Sequence, residues 1–274
     1  MDELVSVNIC TYNRSKLLSR CLESVIAQDY PNFEVVIVDD CSTDDTEQVV
    51  EKFKGTFKRI KYIKHAKNKK LAVARNTGVE NSLGHYIAFM DDDDEWLDKS
   101  KLTKQVETFS ADKSSSLGLV ATSVILVDVE GNQRKKRIEK PKNLKQILLR
   151  GNGILYSPTV MTKKSILEEI GGFDENLRRG IDSEFYRLCV LKYGYDVIFL
   201  EDFTTAIHEY GTDRITSTDT LDSLKSVLKA NAYLLKKYSV VYVRNPMSML
   251  VRVKVMLMAL RKYLIIRFSI NNLR

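Results

Sequence analysis

Several features are scarce or missing in this chain of 274 residues, and each shortage excludes a class of protein. Its four cysteines have no C-x-x-C spacing, so the sequence indicates neither a zinc site nor a disulfide framework. No Gly-rich phosphate loop accompanies the first predicted strand, at residues 4–9. Hydrophobic residues make up 44% of the chain and charged residues 29%, which is typical of a globular protein and excludes disordered and low-complexity classes.

The amino terminus has no basic segment followed by an apolar stretch, and the first predicted strand begins almost at once. A secretory signal peptide is therefore not predicted. The scattered cysteines suit a reducing compartment. We expect a cytoplasmic protein.

Acidic residues are missing from the C-terminal part of the chain. Residues 223–274 contain eleven Lys or Arg and no Asp or Glu, so the net charge of +7 belongs to this segment. Within it, residues 247–268 are rich in Leu, Met, Ile and Val, but they are too often interrupted by Lys and Arg for a transmembrane helix. The pattern is typical of a basic helix that lies on an anionic membrane surface. We therefore expect peripheral association with the inner face of the cell membrane.

The composition of this segment bears on two other partners. A homodimer or core helix whose Lys and Arg side chains snorkel to solvent is the alternative to membrane binding. Nucleic acid is not expected, because the basic residues lie among aliphatic side chains and not among aromatic ones that stack on bases.

Strand and helix patterns alternate over residues 4–100, as a parallel sheet with covering helices requires. Strands are predicted at 4–9, 34–38, 60–63, 86–90, 119–127, 155–162, 197–200 and 206–210, and Pro158 favours an edge strand or an irregular segment at 155–162. Helices are predicted from Ser15 onwards, at 46–53, 71–79, 98–109, 164–170 and 181–193, within 216–238, and at 247–268. The chain is thus predicted to be an α/β protein with helices on both faces of a mostly parallel sheet.

Five consecutive acidic side chains, at 91–95, follow the predicted strand 86–90. Adjacent carboxylates repel one another, and at the end of a sheet, where water is partly excluded, this repulsion is screened less than on an open surface. A divalent cation relieves it, and oxygen ligands suit Mg²⁺ or Mn²⁺. Asp39 and Asp40 also follow a strand, and this edge of an open α/β sheet is where ligands bind. A solvated acidic turn is the alternative.

Three further positions have both a functional and a structural interpretation. Arg75, on the helix that precedes the acidic strand end, either pairs with two phosphate or carboxylate oxygens or is a surface charge. Asp182 and Glu184 open a helix, where carboxylates can simply complement the helix dipole. His208 is one of only three histidines, and a lone histidine is more often structural than a ligand.

Five short motifs, in their order along the chain, resemble those of family 2 glycosyltransferases. They lie at residues 7–14 (V-N-I-C-T-Y-N-R), 36–44 (V-I-V-D-D-C-S-T-D, with Cys41 where glycine is commoner), 74–78 (A-R-N-T-G), 86–96 and 171–175 (G-G-F-D-E). The resemblance covers about residues 5–217. It implies an inverting, metal-dependent enzyme that uses nucleotide sugars and has the GT-A (Rossmann-like) fold, whose sheet is mixed and mostly parallel.

The resemblance also implies a division of the chain by role. Residues 1–110 would be the nucleotide-sugar-binding half and residues 111–220 the acceptor-binding half of the same domain. Residues 221–274 would be the C-terminal helical, basic segment, with the possible membrane association described above.

Individual site residues follow from the same resemblance. The proposed nucleotide-binding residues are Thr11, Tyr12, Asn13, Asp40, Arg75, Asp91 and Asp92, with Asp40 accepting a hydrogen bond from uracil. Asp93 and His208 would bind the cation, Mn²⁺ or Mg²⁺. Asp182 would be the catalytic base. The family often has a Glu-Asp pair there, but Ile181 replaces the Glu, so Glu184 is a second candidate.

The reaction implied is transfer of a sugar from a nucleoside diphosphate sugar, expected to be UDP-linked, to a hydroxyl of a glycan or lipid-linked acceptor. This chemistry occurs in bacterial surface polysaccharide synthesis. In-line attack inverts the anomeric centre without the covalent intermediate of retaining glycosidases. Two alternatives are a nucleotidyltransferase, disfavoured by the missing phosphate loop, and a non-catalytic nucleotide-sugar-binding or scaffold protein, favoured only by Ile181.

Overall fold

The structure is a computed structural model that describes residues 3–151, 153–209 and 220–271. Its strands are Val5–Thr11 (β1), Phe33–Asp39 (β2), Ile60–Lys64 (β3), Tyr86–Asp91 (β4), Glu95–Trp96 (β5), Leu117–Val127 (β6), Gln133–Lys136 (β7), Met161–Lys163 (β8) and Asp196–His208 (β9). Its α-helices are Ser15–Ile26 (α1), Thr46–Phe53 (α2), Leu71–Glu80 (α3), Lys101–Ala111 (α4), Leu144–Arg150 (α5), Lys164–Ile170 (α6), Ile181–Arg187 (α7), Leu221–Lys237 (α8), Ser239–Val243 (α9) and Pro246–Asn271 (α10).

All of these strands belong to one mixed sheet in the order β3-β2-β1-β4-β8-β6-β9-β5, with β7 paired to β6. The first four strands in that order are parallel, as the alternating strand and helix patterns predict. Strand β8 is antiparallel to both β4 and β6, and it joins the parallel half to the rest of the sheet. The predicted α/β class and its mixed sheet are therefore confirmed. The assignment of the two halves to donor and acceptor remains a prediction.

Both faces of the sheet are buried under helices. In β4, Ile87 and Phe89 belong to one hydrophobic cluster, whereas Ala88 and Met90 belong to another. Successive residues of a strand point to opposite faces, so this alternation places a core on each side of the sheet. The close approach of α3 explains the glycine in A-R-N-T-G, because a Cβ at Gly78 would lie 2.0 Å from the side-chain oxygen of Asn8.

The structure revises two strand predictions. The predicted strand 155–162 is a 3-10 helix, Ser157–Thr159, followed by β8, because Pro158 cannot donate a ladder hydrogen bond. The strands predicted at 197–200 and 206–210 are one strand, β9, whose register against β6 shifts beside Glu201 and Asp202. This bulge interrupts the apolar pattern of the sequence but not the strand. Residue 210 lies outside the described residues.

Helices α8, α9 and α10 form the C-terminal segment predicted from the sequence, and α8 begins with a capping box between Thr220 and Ser223. The predicted residues 216–219 of this helix lie outside the described part of the chain. Inward-facing side chains fix the segment: the hydroxyl of Tyr242 and Nε of Arg252 both donate to the carbonyl oxygen of Leu149. Among the described residues, no helix has the length and apolarity needed to span a bilayer.

Candidate active site

The carboxyl ends of β1, β2 and β4 meet at one edge of the sheet. Thr11 is paired with Asp39 across β1 and β2, and Cys10 with Asp91 across β1 and β4. The strand-end motifs of the sequence are therefore neighbours in space, as expected for parallel strands. Of the predicted site residues that come from elsewhere in the chain, Arg75 contacts Asp91 of this edge, His208 contacts Glu95, and Asp182 is connected to the edge through Arg75.

Asp40 is almost fully buried and holds the Lys-rich loop that follows β3. Its carboxylate accepts hydrogen bonds from the backbone amides of Lys69, at 2.7 Å, and Lys70, at 2.8 Å. It also lies 2.8 Å from Nδ1 of His65. A carboxylate offers about four lone-pair positions, so this geometry leaves about one for a ligand. Sequence reasoning missed this loop-holding role.

The loops after β1 and β2 are tied together by Asn13. Its backbone amide donates to Oγ of Ser42, and its side-chain oxygen accepts from the amide of Thr43. Asn13 adopts φ of 53°, a left-handed conformation that Asn tolerates better than most residues. The ring of Tyr12, in contrast, is 46% exposed and is open to a ligand.

Arg75 connects two carboxylates that come from distant parts of the chain. Its Nη2 lies 2.8 Å from Asp91 at the end of β4, and its Nε lies 3.1 Å from Asp182 in the first turn of α7. The guanidinium also lies over the rings of Phe89 and Phe173. Burial alone would lower the pKa of Arg75, but Asp182 and Asp91 raise it, so the side chain is held as a permanent cation.

Burial and mutual repulsion disfavour the charged forms of the first two carboxylates of the acidic strand end. The pKa of Asp91 is raised to about 7, first by burial and then, against the opposing effect of Arg75, by Asp182 and Asp93. The pKa of Asp92 is raised to about 6, again mainly by burial. The cluster therefore favours an additional positive charge.

Two arginines of the α1 region contact this cluster, and sequence reasoning missed both. Nη1 of Arg14 lies 2.8 Å from Oδ2 of Asp93 and 3.1 Å from Oδ1 of Asp92. Arg20 donates to the carbonyl oxygen of Asp93 and pairs with Glu95 at 3.0 Å. The only feature of the sequence that could have indicated a role for Arg14 is its position directly after T-Y-N in the first motif.

His208 reaches the same region from the end of β9. Its Nε2 lies 2.7 Å from Oε1 of Glu95, and its backbone amide donates to Asp94. The pKa of His208 is lowered, mainly by burial. The structure thus places the imidazole against Glu95, and its assignment as a ligand alongside Asp93 stays a prediction.

The acidic edge fits a cation that is shared with a substrate. Within the described residues, no group of three or more His, Cys, Asp or Glu side chains could hold a metal ion. Magnesium usually takes only one or two protein carboxylates and completes its coordination with water and substrate phosphates. Asp93, whose side chain is 15% exposed, and the raised pKa values of its neighbours suit that kind of site.

Asp182 and Glu184 lie two residues apart on α7 but have different surroundings. The side chain of Asp182 is 28% exposed. Glu184 is fully buried, and it contacts Arg187 at 2.9 Å, Lys237 at 2.8 Å and the hydroxyl of Tyr238 at 2.8 Å. Glu184, the second candidate base, is therefore part of a buried ion-pair network. Its carboxylate has no exposed surface for an acceptor hydroxyl to contact.

A pair of hydrogen bonds joins the motifs A-R-N-T-G and G-G-F-D-E. The side chain of Asn76 accepts from the backbone amide of Phe173 and donates to its carbonyl oxygen. Gly172 has φ of 74°, and a Cβ there would lie 2.6 Å from Asn76. The two motifs thus position Phe173 under the guanidinium of Arg75.

The sequence model of "Glycosyl transferase family 2" matches residues 6–171, which is more than half of the chain. The chain belongs to glycosyltransferase family 2. Among its relatives is TuaG of Bacillus subtilis (strain 168), named as a glycosyltransferase of teichuronic acid biosynthesis. TuaG is 34% identical over 193 residues, which cover 70% of this chain and 73% of TuaG.

A second relative of this family 2 glycosyltransferase is WfaP of Escherichia coli. It is 40% identical over 111 residues, or 40% of this chain and 43% of WfaP. WfaP is named as a UDP-Glc:alpha-D-GlcNAc-diphosphoundecaprenol beta-1,3-glucosyltransferase. Relatives of the chain thus act in polysaccharide biosynthesis.

Solved structures confirm the predicted GT-A fold of this family 2 glycosyltransferase. S. aureus TarS 1–349 in complex with UDP-GlcNAc has a TM-score of 0.67 at 23% identity, over 84% of this chain and 66% of TarS 1–349. PcManGT of Pyrobaculum calidifontis, in complex with GDP-Man and Mn²⁺, has a TM-score of 0.63 at 20% identity. That match covers 98% of this chain and 80% of PcManGT. In the comparison with TarS 1–349, the match spans just under two thirds of the TarS chain.

Proposed function

We propose that the chain is an inverting glycosyltransferase that moves a sugar from a UDP-linked donor to a hydroxyl of a glycan or lipid-linked acceptor in polysaccharide synthesis. One observation carries the proposal: the buried guanidinium of Arg75 contacts both Asp91 and Asp182. The guanidinium of Arg75 thereby lies between two parts of the proposed site. Asp91 ends the strand that suits a nucleotide, and Asp182 is the partly exposed carboxylate that suits a base.

In this proposal each side chain has a separate task. Tyr12 and the remaining acceptor position of Asp40 contact the nucleobase, and Thr11 and Asn13 shape that loop. Asp91 and Asp92 lie along the ribose and diphosphate. Asp182 accepts the proton of the acceptor hydroxyl, a task that requires a carboxylate within hydrogen-bond reach of the acceptor.

Asp93 is proposed to hold a divalent cation, Mn²⁺ or Mg²⁺, with His208 nearby. When bound, such a cation neutralises charge that develops on the leaving diphosphate. The PcManGT structure contains Mn²⁺ together with its nucleotide sugar, which supports this part of the proposal by analogy of fold. A UDP-linked donor is supported by the TarS complex with UDP-GlcNAc and by the name of WfaP.

We propose further that the C-terminal segment binds the anionic inner face of the cell membrane. The outward face of α10 exposes Leu250, Leu257 and Leu264 at heptad spacing, with Lys254 and Arg261 between them. Two copies packed through this face would bring these basic side chains together without acidic partners from residues 223–274. An anionic lipid surface complements the same face, and the acceptor named for WfaP is lipid-linked.

A donor screen tests the proposed reaction. The purified chain is incubated with UDP- and GDP-sugars, Mn²⁺ and lipid-linked or glycan acceptors, and products are identified by mass spectrometry. We expect a sugar-extended acceptor and one nucleoside diphosphate per transfer. Release of pyrophosphate would instead indicate a nucleotidyltransferase, whereas metal-independent binding of donors without transfer or hydrolysis would indicate a non-catalytic protein.

A further inference from the structure

Arg14 supplies positive charge to the acidic cluster by contacting two of its carboxylates. A single nitrogen of its guanidinium, Nη1, contacts Asp93 at 2.8 Å and Asp92 at 3.1 Å. Arg14 immediately precedes α1, and Arg20 on that helix holds the backbone of Asp93 through a 2.7 Å hydrogen bond. The N-terminal part of α1 is therefore fastened to the carboxylate that we propose as the cation ligand.

This contact competes with cation binding by simple geometry and charge. The guanidinium is a permanent cation, so it cannot leave Asp93 by losing a proton. A divalent cation bound to the same carboxylate would meet a like charge at hydrogen-bonding distance from its ligand. Either the cation is excluded or the arginine moves, and the side chain of Arg14 lies at the protein surface with 28% of its area exposed.

We propose that Arg14 is an internal counter-ion of the cation-free site, and that the divalent cation displaces it from Asp93 towards the diphosphate of the donor. The inference rests on the proposed function, in which Asp93 binds the cation. A guanidinium released at this edge lies beside the carboxylates that line the proposed diphosphate path, Asp91 and Asp92. Planar guanidinium groups bind phosphate oxygens in pairs, so a diphosphate is a suitable new partner.

The proposed exchange makes cation and nucleotide bind cooperatively. Without nucleotide, the cation has to displace Arg14 from two carboxylates. With nucleotide, the displaced guanidinium gains a diphosphate, so the same displacement costs less. By thermodynamic linkage, UDP must then strengthen Mn²⁺ binding by the same factor as Mn²⁺ strengthens UDP binding.

The test compares Mn²⁺ binding by the full chain and by Arg14→Met, with and without UDP. Free Mn²⁺ is measured by electron paramagnetic resonance, which requires no turnover. We expect Arg14→Met to bind Mn²⁺ alone about three- to fivefold more tightly, as expected for loss of a competing ion pair worth about 1 kcal/mol. We also expect UDP to strengthen Mn²⁺ binding less in the variant than in the wild type.

Lys16→Met is the matched control, because it removes an exposed positive charge two residues away. If it tightens Mn²⁺ binding as much as Arg14→Met does, the effect is one of net charge and the inference is wrong. Unchanged Mn²⁺ affinity in Arg14→Met, or an unchanged effect of UDP on that affinity, also overturns it. Thermal unfolding of each variant verifies that it is folded.

Asp93→Ala separates this inference from the proposed function. If Asp93→Ala binds Mn²⁺ like the wild type, or if the wild type binds none, the cation assignment itself fails. If Asp93→Ala loses Mn²⁺ while Arg14→Met behaves like the wild type, the cation assignment stands and only the role of Arg14 is refuted.

Discussion

Nε of Arg75 lies 3.1 Å from a carboxylate oxygen of Asp182. Arg75 is on α3 and Asp182 begins α7, so this contact joins the donor-side helix to the helix of the proposed base. The Nε contact is an ion pair without hydrogen-bond geometry, whereas Nη2 donates a hydrogen bond to Asp91 at 2.8 Å. A planar group with several donors is required to contact both carboxylates at once.

Arg75→Lys is expected to lower kcat/KM for sugar transfer on the order of 100-fold, the usual effect of losing a positioned electrostatic contact in an active site. Lysine keeps the charge but cannot contact both Asp91 and Asp182 in this geometry. The measurement is steady-state transfer with the donor found in the screen. Arg134→Lys, on the exposed strand β7, is the control and should behave like the wild type. Near-normal activity in Arg75→Lys would contradict the bridging role.

Glu184→Gln is expected to lower the free energy of unfolding by about 3 kcal/mol or more, because it leaves the fully buried Arg187 without its counter-ion, whereas Lys237 keeps Asp174. Urea unfolding monitored by circular dichroism measures this. Glu168→Gln, at an exposed i,i+4 pair, should change it by less than about 0.5 kcal/mol. Equal, small effects of the two substitutions would show that the Glu184 network is not a structural ion pair.

The unfolding free energy is expected to rise with pH above neutrality because of Lys101. This side chain is fully buried, donates to the amide oxygen of Gln105 and lies over the ring of Trp96. Burial lowers its pKa from 10.5 to about 7. Between these values the unfolded chain binds more protons than the folded protein, so the folded state gains stability as pH increases.

The measurement is urea unfolding at pH 7, 8 and 9 for the wild type, Lys101→Met and Lys99→Met. Relative to Lys101→Met, the wild type should gain up to about 1.4 kcal/mol per pH unit, the largest slope that one group can give. The exposed control, Lys99→Met, should keep the wild-type slope. Parallel pH curves for the wild type and Lys101→Met would show that Lys101 is not neutral in the folded protein.

Much of the site edge was predictable because parallel strands end at the same side of a sheet. Asp40 and Asp91 each follow an apolar strand pattern, so their proximity follows once the strands are parallel. The partners of these carboxylates were not predictable. Arg14 and Asp93 are 79 positions apart, and their contact depends on how α1 packs against the end of β4.

Glu184 shows the same limit. Its spacing from Asp182 indicated a neighbouring carboxylate on one helix, but its burial depends on Lys237 and Tyr238 from α8 and its C-terminal end. Strand β9 shows a different limit of prediction from sequence. Glu201 and Asp202 interrupt its apolar pattern, but the strand continues past them through a bulge opposite β6. Short motifs therefore predicted the sheet edge at which the carboxylates gather, whereas tertiary packing decided which carboxylate remains accessible.

The C-terminal segment is expected to bind anionic vesicles through α10. Lys254→Gln combined with Arg261→Gln should weaken binding to phosphatidylglycerol vesicles by about 30-fold, since two basic residues near such a surface contribute about 1 kcal/mol each. Phosphatidylcholine vesicles should bind both proteins weakly. Point variants are preferable to truncation, because Tyr242 and Arg252 of this segment are buried against Leu149.

The control for vesicle flotation is Lys52→Gln combined with Lys58→Gln, an equal charge loss at exposed positions on and after α2. It should bind like the wild type. If both double variants lose binding equally, net charge and not α10 is responsible. If neither loses binding, the membrane proposal for this segment is wrong.

The assignment of Asp182 as the base that accepts the proton of the acceptor hydroxyl is the central claim, and Asp182→Asn tests it most directly. Asparagine keeps the size of the side chain but cannot accept that proton. We predict that the variant binds UDP and Mn²⁺ within about twofold of the wild type, while the transfer rate falls by about 10³, within the range for loss of a general base. A transfer rate within about threefold of the wild type, in a variant that still binds donor, would contradict the claim.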